Sequence, residues 1–418
     1  MSVPKLRFKE FDGDWYESSI GQLTKYFKGY AFKSESYKDN GVRIIRVSDL
    51  GRDSIKYDND AIYLDELESP DYENWMLKEH DIVITTVGSK PHLVDSAVGR
   101  PIYIRNNNEG LLNQNLLVLR PINQEVEPYF VFSQLLDNKY LTHIETIQRG
   151  NANQSNIIVK DLQEFKVFST PKSEQTKIAS FLSAVDEKIS QLTQKHELLS
   201  QYKQGMMQKL FSQQIRFKAD DGSEFGEWET KSIKDVADVK GGKRIPKGYA
   251  LINENTGHPY ITVSDMNRSY SIDSTNIRYV PLEVVGTIKR YTITDKDIFI
   301  SVAGTLGIIG KIPTEFNGAN LTENADKLTN LKCHQDFLIY LLDSGYLSEL
   351  IESTATTSAQ PKLALYAIEQ LEIQIPCLEE QTKIANFLSS IDQKIEVVAQ
   401  QIEQAKQWKK GLLQQMFV

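Results

Sequence analysis

A chain that contains the same long segment twice is constrained to fold as two copies of one unit. Residues Glu174–Phe211 and Glu380–Phe417 are related by a constant offset of 206, without a gap, and are identical at 19 of 38 positions. The same offset carries Leu135-Leu136-Asp137, Tyr140 and Leu141 onto Leu341-Leu342-Asp343, Tyr346 and Leu347. At offset 216, Val47-Ser48-Asp49 recurs as Val263-Ser264-Asp265, and His80–Ser89 as Lys296–Thr305. Leu6–Lys9 recurs as Ile215–Lys218, and Trp15 as Trp228. The copies therefore run over roughly 1–212 and 213–418. Residues 90–128 and 306–334, between the shared anchors, do not align, and the first copy is ten residues longer there. A scaffold is kept while the segments it presents vary.

The duplicated segments read as long helices. Neither contains Pro, nor Gly before Gly205 and Gly411, and both are rich in Gln, Lys, Glu and Leu. In the first, Leu182, Val185, Ile189, Leu192, His196, Leu199, Lys203, Met206 and Leu210 follow alternating steps of three and four. In the second the seam is Leu388, Ile391, Ile395, Val398, Ile402, Ala405, Lys409, Leu412 and Met416. A seven-residue repeat predicts coiled-coil packing, and each helix of 38 residues would be about 57 Å long. The natural partner of each stripe is its duplicate, antiparallel if the two domains lie at opposite ends. Pro171 and Pro376 mark the helix starts. His196, Lys203 and Lys409 interrupt the seam and read as register-setting or snorkelling residues.

The rest of each copy reads as mixed α/β. Arg43–Ser48, Asp81–Val87 and Asn115–Leu119 are expected strands in copy one; Pro259–Ser264, Asp297–Val302 and Lys327–Leu331 are expected in copy two. Tyr129–Asp137 and Phe337–Asp343 are expected helices, and Gly88-Ser89 and Gly304-Thr305 tight turns. The predicted domains are 1–172 and 213–375, separated and followed by the helices 173–212 and 376–418. The 418 residues exceed one hydrophobic core. No apolar run is long enough to span a bilayer, and MSVPKLRFKE lacks a signal-peptide core, so a cytoplasmic protein is expected. Apart from His334, adjoining Cys333, neither Cys333 nor Cys377 has a Cys or His close by, which leaves no zinc spacing.

Catalytic signatures are missing. The sequence holds no phosphate-binding G-x-x-x-x-G-K-[ST], no dinucleotide fingerprint, no H-E-x-x-H and no Asn/Asp-Pro-Pro-aromatic motif. Asp65-Glu66 and Asp220-Asp221 read as solvated loop acids. What remains is a set of polar and aromatic residues in each copy. In copy one these are Lys28, Tyr30, Lys33, Arg43, Arg46, Arg149, Asn151, Asn153 and Gln154. In copy two they are Lys243, Arg244, Lys247, Tyr249, Arg268, Gln360 and Lys362. Arg, Lys, Asn and Gln grip phosphates and read base edges, which makes these the candidate DNA contacts. Lys28-Gly29 falls opposite Gly241-Gly242, and Gln154 opposite Gln360.

Two variable domains alternating with two near-identical helices resemble the specificity subunit of type I restriction–modification systems. The E-Q-x-K-I-A-x-F-L-S-x-x-D-x-K-I element, at Glu174–Ile189 and Glu380–Ile395, is similar to that family's repeated region. The pairs Trp15/Ile20 and Trp228/Ile233, with the Val-Ser-Asp element, resemble the starts of its recognition domains. The resemblance implies that each domain reads one half of a bipartite, asymmetric site in double-stranded DNA. It implies that the paired helices set the spacer. It further implies docking of two methyltransferase subunits bringing S-adenosylmethionine, and of restriction/translocase subunits adding ATP and Mg²⁺, with no active site in this chain. The net charge is −4 for 1–172 and −5 for 215–375, whereas a lone DNA clamp is expected to be basic. Basic residues gathered on one face, together with partner subunits, would supply the phosphate contacts. Two other classes stay open on the residues alone: a coiled-coil scaffold without a DNA role, and a stand-alone enzyme, against which the missing motifs argue.

Overall fold

The computed structural model describes residues 4–51, 54–89, 98–151, 154–355 and 362–417. The chain forms two compact units, Met1–Thr193 with Gln400–Val418, and Gln194–Ala399. Each unit takes one mixed α/β domain and about half of each long helix.

Both units are built on the same frame. In the first, strand Tyr16–Ser19 pairs antiparallel with Lys166–Ser169; in the second, Glu229–Ser232 pairs with Glu372–Ile375. A one-turn helix follows each, Ile20–Leu23 and Ile233–Val236, closed by Ser19 with Gln22 and by Ser232 with Asp235 in reciprocal capping boxes. An antiparallel four-stranded sheet comes next. Its order is Thr24–Lys28, Leu116–Pro121, Ile82–Thr85 and Pro101–Tyr103 in the first unit. In the second it is Asp238–Gly241, Ala325–Thr329, Ile298–Ser301 and Ile309–Gly310. Ile82, Ile84, Leu117 and Leu119 face a core holding Trp15, Phe130 and Tyr140, while Val83, Leu116 and Val118 face a second core with Ile45, Leu50 and Ile102. A sheet buried on both faces is why these strands read as unbroken apolar runs instead of alternating ones.

The copies diverge in the next sheet. Copy one has three strands, ordered Ile62–Leu64, Val42–Ile45 and Leu111–Leu112. Copy two has four, ordered Arg278–Tyr279, Pro259–Ile261, Ala319–Leu321 and Thr292–Ile293. A helix, Leu282–Ile288, leads into the added strand, whereas in copy one the 3-10 segment Ser69–Trp75 follows strand Ile62–Leu64. The strands expected to run through Ser48 and Ser264 stop earlier. Val47–Asp49 and Val263–Asp265 are single 3-10 turns, because the terminal aspartate turns back to accept the amide N–H of Arg46 (2.6 Å) or Thr262 (2.7 Å).

The long helices are Lys172–Phe211 and Leu378–Met416, each starting two residues ahead of the repeated Glu-Gln. In the first unit Leu182 and Val185 pack in one core with Leu412, Leu413 and Met416. In the second, Met207 and Leu210 share a core with Ile384, Ala385, Leu388 and Ile391. The N-terminal half of one helix meets the C-terminal half of the other in both units, the exchange an antiparallel pair makes. Leu192 and Val398 are buried, Ile189 and Ile395 pack partly against the cores, and Leu199 and Ile402 are half-buried. The seam lysines are register pins. Lys409 Nζ lies 2.5 Å from Asp186 and Lys203 Nζ 2.6 Å from Asp392, the same pair used twice at the 206-residue offset.

The rest of the repeated element is explained by what it closes. Glu174 and Glu380 are fully buried. An ionised carboxylate costs several kcal/mol there unless it is paired and hydrogen-bonded. Arg7 grips Glu174 with Nε (2.7 Å) and Nη2 (2.8 Å), and Trp15 Nε1 donates to the same carboxylate at 3.3 Å. Arg216 (3.1 and 2.7 Å) and Trp228 (3.3 Å) do this for Glu380. The following Gln175 and Gln381 hydrogen-bond the backbone at their domain junctions, accepting from the Glu127 and His334 amides. The later Asp186 and Asp392 accept Tyr129 and Tyr340 as well as the lysine pins.

Candidate nucleic-acid interface

At one end of each four-stranded sheet the chain leaves its first strand through a glycine. The Gly29 amide donates to Leu116 O (2.9 Å) and the Tyr30 amide to Leu112 O (2.9 Å). The Gly242 amide donates to Ala325 O (3.0 Å) and the Lys243 amide to Leu321 O (2.8 Å). A Cβ on Gly29 would stand 1.8 Å from Asn113 O, and one on Gly242 2.0 Å from Thr322 O. Only glycine allows this close backbone approach. The expected correspondence of Lys28-Gly29 with Gly241-Gly242 is therefore a structural equivalence, and the next residue is Tyr30 in one copy and Lys243 in the other.

Tyr30 is 37% exposed and crowns an aromatic cluster, with ring centroids 5.0 Å from Phe32, 5.1 Å from Tyr72 and 4.7 Å from Trp75. Lys28 and Lys33 flank it, both exposed. Arg43 and Arg46 come together elsewhere, around Asp49. Arg43 Nη2 donates to Lys56 O (2.6 Å) and Asn59 Oδ1 (2.9 Å), and its guanidinium lies 5.2 Å from the Tyr57 ring centroid. Arg46 grips Asp49 with Nε at 3.0 Å and also reaches Asp60 O. Burial alone would raise the Asp49 pKa; hydrogen bonds from Arg46 and Asn59 outweigh it and hold the carboxyl below its ordinary range. Both guanidiniums are thus engaged by their own domain. Arg149 opens the hairpin Arg149–Asn151/Gln154–Asn156, which pairs through Ser155 and Asn156 with Val87–Gly88. The Arg149 side chain is exposed and lies 3.2 Å from Asp161. Asn151 and Gln154 are paired backbone to backbone in that hairpin, while Asn153 lies outside the described residues.

In copy two Lys243 and Arg244 stand together. Lys243 Nζ lies 5.7 Å from the Tyr291 ring centroid, and its carbonyl accepts Tyr260 Oη at 2.8 Å. Arg244 pairs with Glu323 and is 76% exposed, so it is free to exchange that partner for a ligand. The pairing lowers the Glu323 pKa against the opposing effect of burial. Lys247, Tyr249, Arg268 and Lys362 are exposed; Gln360 lies outside the described residues. Sequence reasoning did not single out Tyr291, Tyr260 and Glu323, which shape this cluster, or Tyr72 and Trp75 in copy one. Pairing across strands and loops brings them in, and no local motif marks it.

Among the described residues no group of three or more His, Cys, Asp or Glu side chains is arranged to hold a metal ion, and no helix is long and apolar enough to cross a membrane. Each unit presents exposed cations and aromatic rings where the chain leaves its four-stranded sheet, Lys28, Tyr30 and Lys33 in one and Lys243, Arg244 and Tyr291 in the other. Such a surface can hydrogen-bond phosphates and base edges and can stack.

Residues 12–201 and 226–407 match the family described as type I restriction modification DNA specificity domain. A specificity subunit of Methanocaldococcus jannaschii provisionally named MjaX is 26% identical over 424 residues, covering 98% of this chain and 94% of that one. The type I restriction enzyme MjaVIII specificity subunit of the same organism is 24% identical, with 97% and 94% covered. Among solved structures, the type I restriction–modification S subunit from M. genitalium superposes over 100% of this chain and 99% of its own, with a TM-score of 0.63 at 18% identity.

Proposed function

The chain belongs to the type I restriction modification DNA specificity family, and on that premise we propose how its two copies divide the work. It is a DNA sequence-recognition subunit with two recognition domains. Each domain, 1–172 and 213–375, reads one half of a bipartite, asymmetric site. The paired helices set the spacer and dock two methyltransferase subunits in the cytoplasm. Methylation with S-adenosylmethionine, and cleavage driven by ATP with Mg²⁺, belong to methyltransferase and restriction/translocase partners, and this chain contributes no active site.

One observation carries the division of labour: an identical glycine exit delivers an aromatic residue, Tyr30, in one copy and a cation, Lys243, in the other. A duplicated frame with different occupants is what reading two unlike half-sites requires. The acidic net charge of both domains supports a shared phosphate clamp, since counterion release from phosphates supplies most non-specific affinity.

Mapping genomic methylation with the gene present and deleted tests this reading. A bipartite adenine-methylation motif should disappear on deletion. A methylome unchanged by deletion in a strain that expresses the methyltransferase would overturn it.

A further inference from the structure

Asp326 is an unusual residue for its place. It lies on strand Ala325–Thr329, directly across from Gly241 on one side and Ile300 on the other. It is only 6% exposed, yet its carboxylate accepts no hydrogen bond and makes no ion pair with any described residue. The corresponding position of copy one, directly across from Lys28 and Ile84, is Leu117, which is fully buried. A leucine therefore fits this place in the frame. A carboxylate with no partner among the described residues is costly there, because burial disfavours its charge. Burial pushes its pKa up to about 6, opposed only in part by Lys362.

On the side of Gly241 nothing but a glycine stands against the carboxylate. Copy one has Lys28 where copy two has Gly241, and the Asp326 Oδ1 lies 3.4 Å from where a Cβ on Gly241 would stand. The missing side chain leaves that oxygen uncovered from this direction. Two candidate segments, at Gly242 and Leu363, meet the end of strand Ile298–Ser301 at this end of the sheet. Gly242 donates to Ala325 O (3.0 Å), Val302 and Ala303 donate to Asn324 O (2.8 and 3.2 Å), and Leu363, next to Lys362, donates to Val302 O (3.0 Å).

We propose that Asp326 is a base-reading residue of the second recognition domain, its carboxylate accepting a hydrogen bond from the N4 amino group of a cytosine in that domain's half-site. Cytosine offers only a donor on its major-groove edge, whereas adenine sets the N7 acceptor beside its amino group, where it would repel the second carboxylate oxygen. Lys362 offsets part of the negative charge that would otherwise oppose approach to phosphates. The inference rests on the specificity role proposed above.

The test compares wild type, Asp326→Leu and Asp326→Asn, each co-expressed with its methyltransferase subunit, by methylome sequencing and by affinity for duplexes carrying the wild-type motif. Size-exclusion and thermal melting of the purified complexes check assembly. Asp326→Leu should leave the first half-site and the spacer unchanged and relax one cytosine position of the second. Affinity for the original motif should fall roughly ten- to hundredfold. Asp326→Asn, which keeps the shape and replaces an acceptor oxygen by a donor, should lose the preference for cytosine at that same position. If Asp326→Leu fails to assemble, Asp326→Asn decides alone. An unchanged motif with affinity within twofold would overturn the proposal, as would a uniform loss at every site. A wild-type complex without any bipartite motif would instead sink the specificity reading itself.

Discussion

The two copies agree where disagreement would strand a charge or crush a backbone, and differ where the chain leaves the frame. Glu174 with Arg7 and Trp15 is matched by Glu380 with Arg216 and Trp228; Lys409 on Asp186 is matched by Lys203 on Asp392. Gly29 and Gly242 are held to glycine by carbonyls that leave no room for a Cβ. Beyond those points the copies part. Arg46 caps the Val-Ser-Asp turn in one and Thr262 in the other, three strands face four, and Leu117 stands where the second copy has Asp326. The comparison teaches that this fold separates what must be rigid from what is presented. Equal substitutions in the frame should cost equally, and equal substitutions at the exits should not.

The largest effect tests the first half of that statement. Removing the guanidinium by Arg7→Ala leaves Glu174 buried with, among the described residues, only Thr170 and Trp15 for partners. Breaking such a pair costs about 3–5 kcal/mol, and Arg216→Ala should cost a similar amount through Glu380. Urea unfolding of the purified complex would measure both. A cost in one copy only would mean that the frames are not energetically equivalent. Acid should act on the same pair. Burial raises the Glu174 pKa, but bonds from Arg7, Thr170 and Trp15 outweigh it and hold the carboxyl below the ordinary glutamate range. Its contribution to stability is therefore complete above that range and is lost as pH falls through the depressed value. Arg7→Ala should flatten the acid limb of a stability–pH curve.

The lysine pins come next, and here the copies should differ. Lys203 holds Asp392 and also sits 4.3 Å from the Tyr270 ring centroid and 5.0 Å from that of Tyr340. Lys409 holds Asp186 at a comparable depth, with no ring contact among the described residues. Lys203→Met should cost about 2–3 kcal/mol and Lys409→Met about 1–2 kcal/mol, the difference being the cation–π contribution. Equal losses in thermal melting would assign no role to the rings.

How much of this could be read from the residues depended on distance along the chain. The heptad seam, the helix starts and the doubled architecture were legible, because periodicity and duplication are local or exact. Each member of the Arg–Glu–Trp cluster was visible as a repeated residue, yet Arg7 and Glu174 are 167 positions apart and nothing local joins them. Arg43 and Arg46 have the residue type of a DNA contact, but folding turns them onto Asp49, which lies inside the Val-Ser-Asp repeat. Asp326 was silent for the same reason. A single Asp gains meaning only when strand pairing sets it beside a glycine, at the place where the first copy has a leucine.

That residue supplies the next effect, a gain. With its pKa pushed up to about 6, Asp326 is ionised at pH 7 against its environment. A carboxyl whose folded pKa is raised lowers stability fully above that value, less as pH falls below it, and not at all below the unfolded value. Asp326→Leu should therefore stabilise the protein by about 2 kcal/mol at pH 7–8, and by almost nothing near pH 4. Leu117→Asp, the converse exchange in copy one, should destabilise at pH 7. A gain that does not depend on pH would show that the leucine acts through packing alone.

The smallest effect on stability belongs to the helices, and the pins change how it must be sought. Asp186 and Lys203 are 17 residues apart on one helix, as are Asp392 and Lys409 on the other. Lengthening the first helix alone, by four residues after Leu192, keeps the apolar stripe nearly in phase, since four is close to one turn. It also makes the two pin spacings unequal, so one pin must break and that variant should lose about as much as a lysine substitution. A matched insertion of four residues after Leu192 and after Val398 restores equality. Each helix then gains about 6 Å, close to two base pairs of DNA. The matched variant should melt within about 1 kcal/mol of wild type, given that only exposed turns are added. Its methylation motif should keep both half-sites and lengthen the spacer by one or two base pairs. Two-residue insertions at the same points turn the stripe by roughly 200° and should not assemble. An active matched variant with an unchanged spacer would separate the helices from the ruler role. One with altered half-sites would show that the frame and the presented loops are not independent after all.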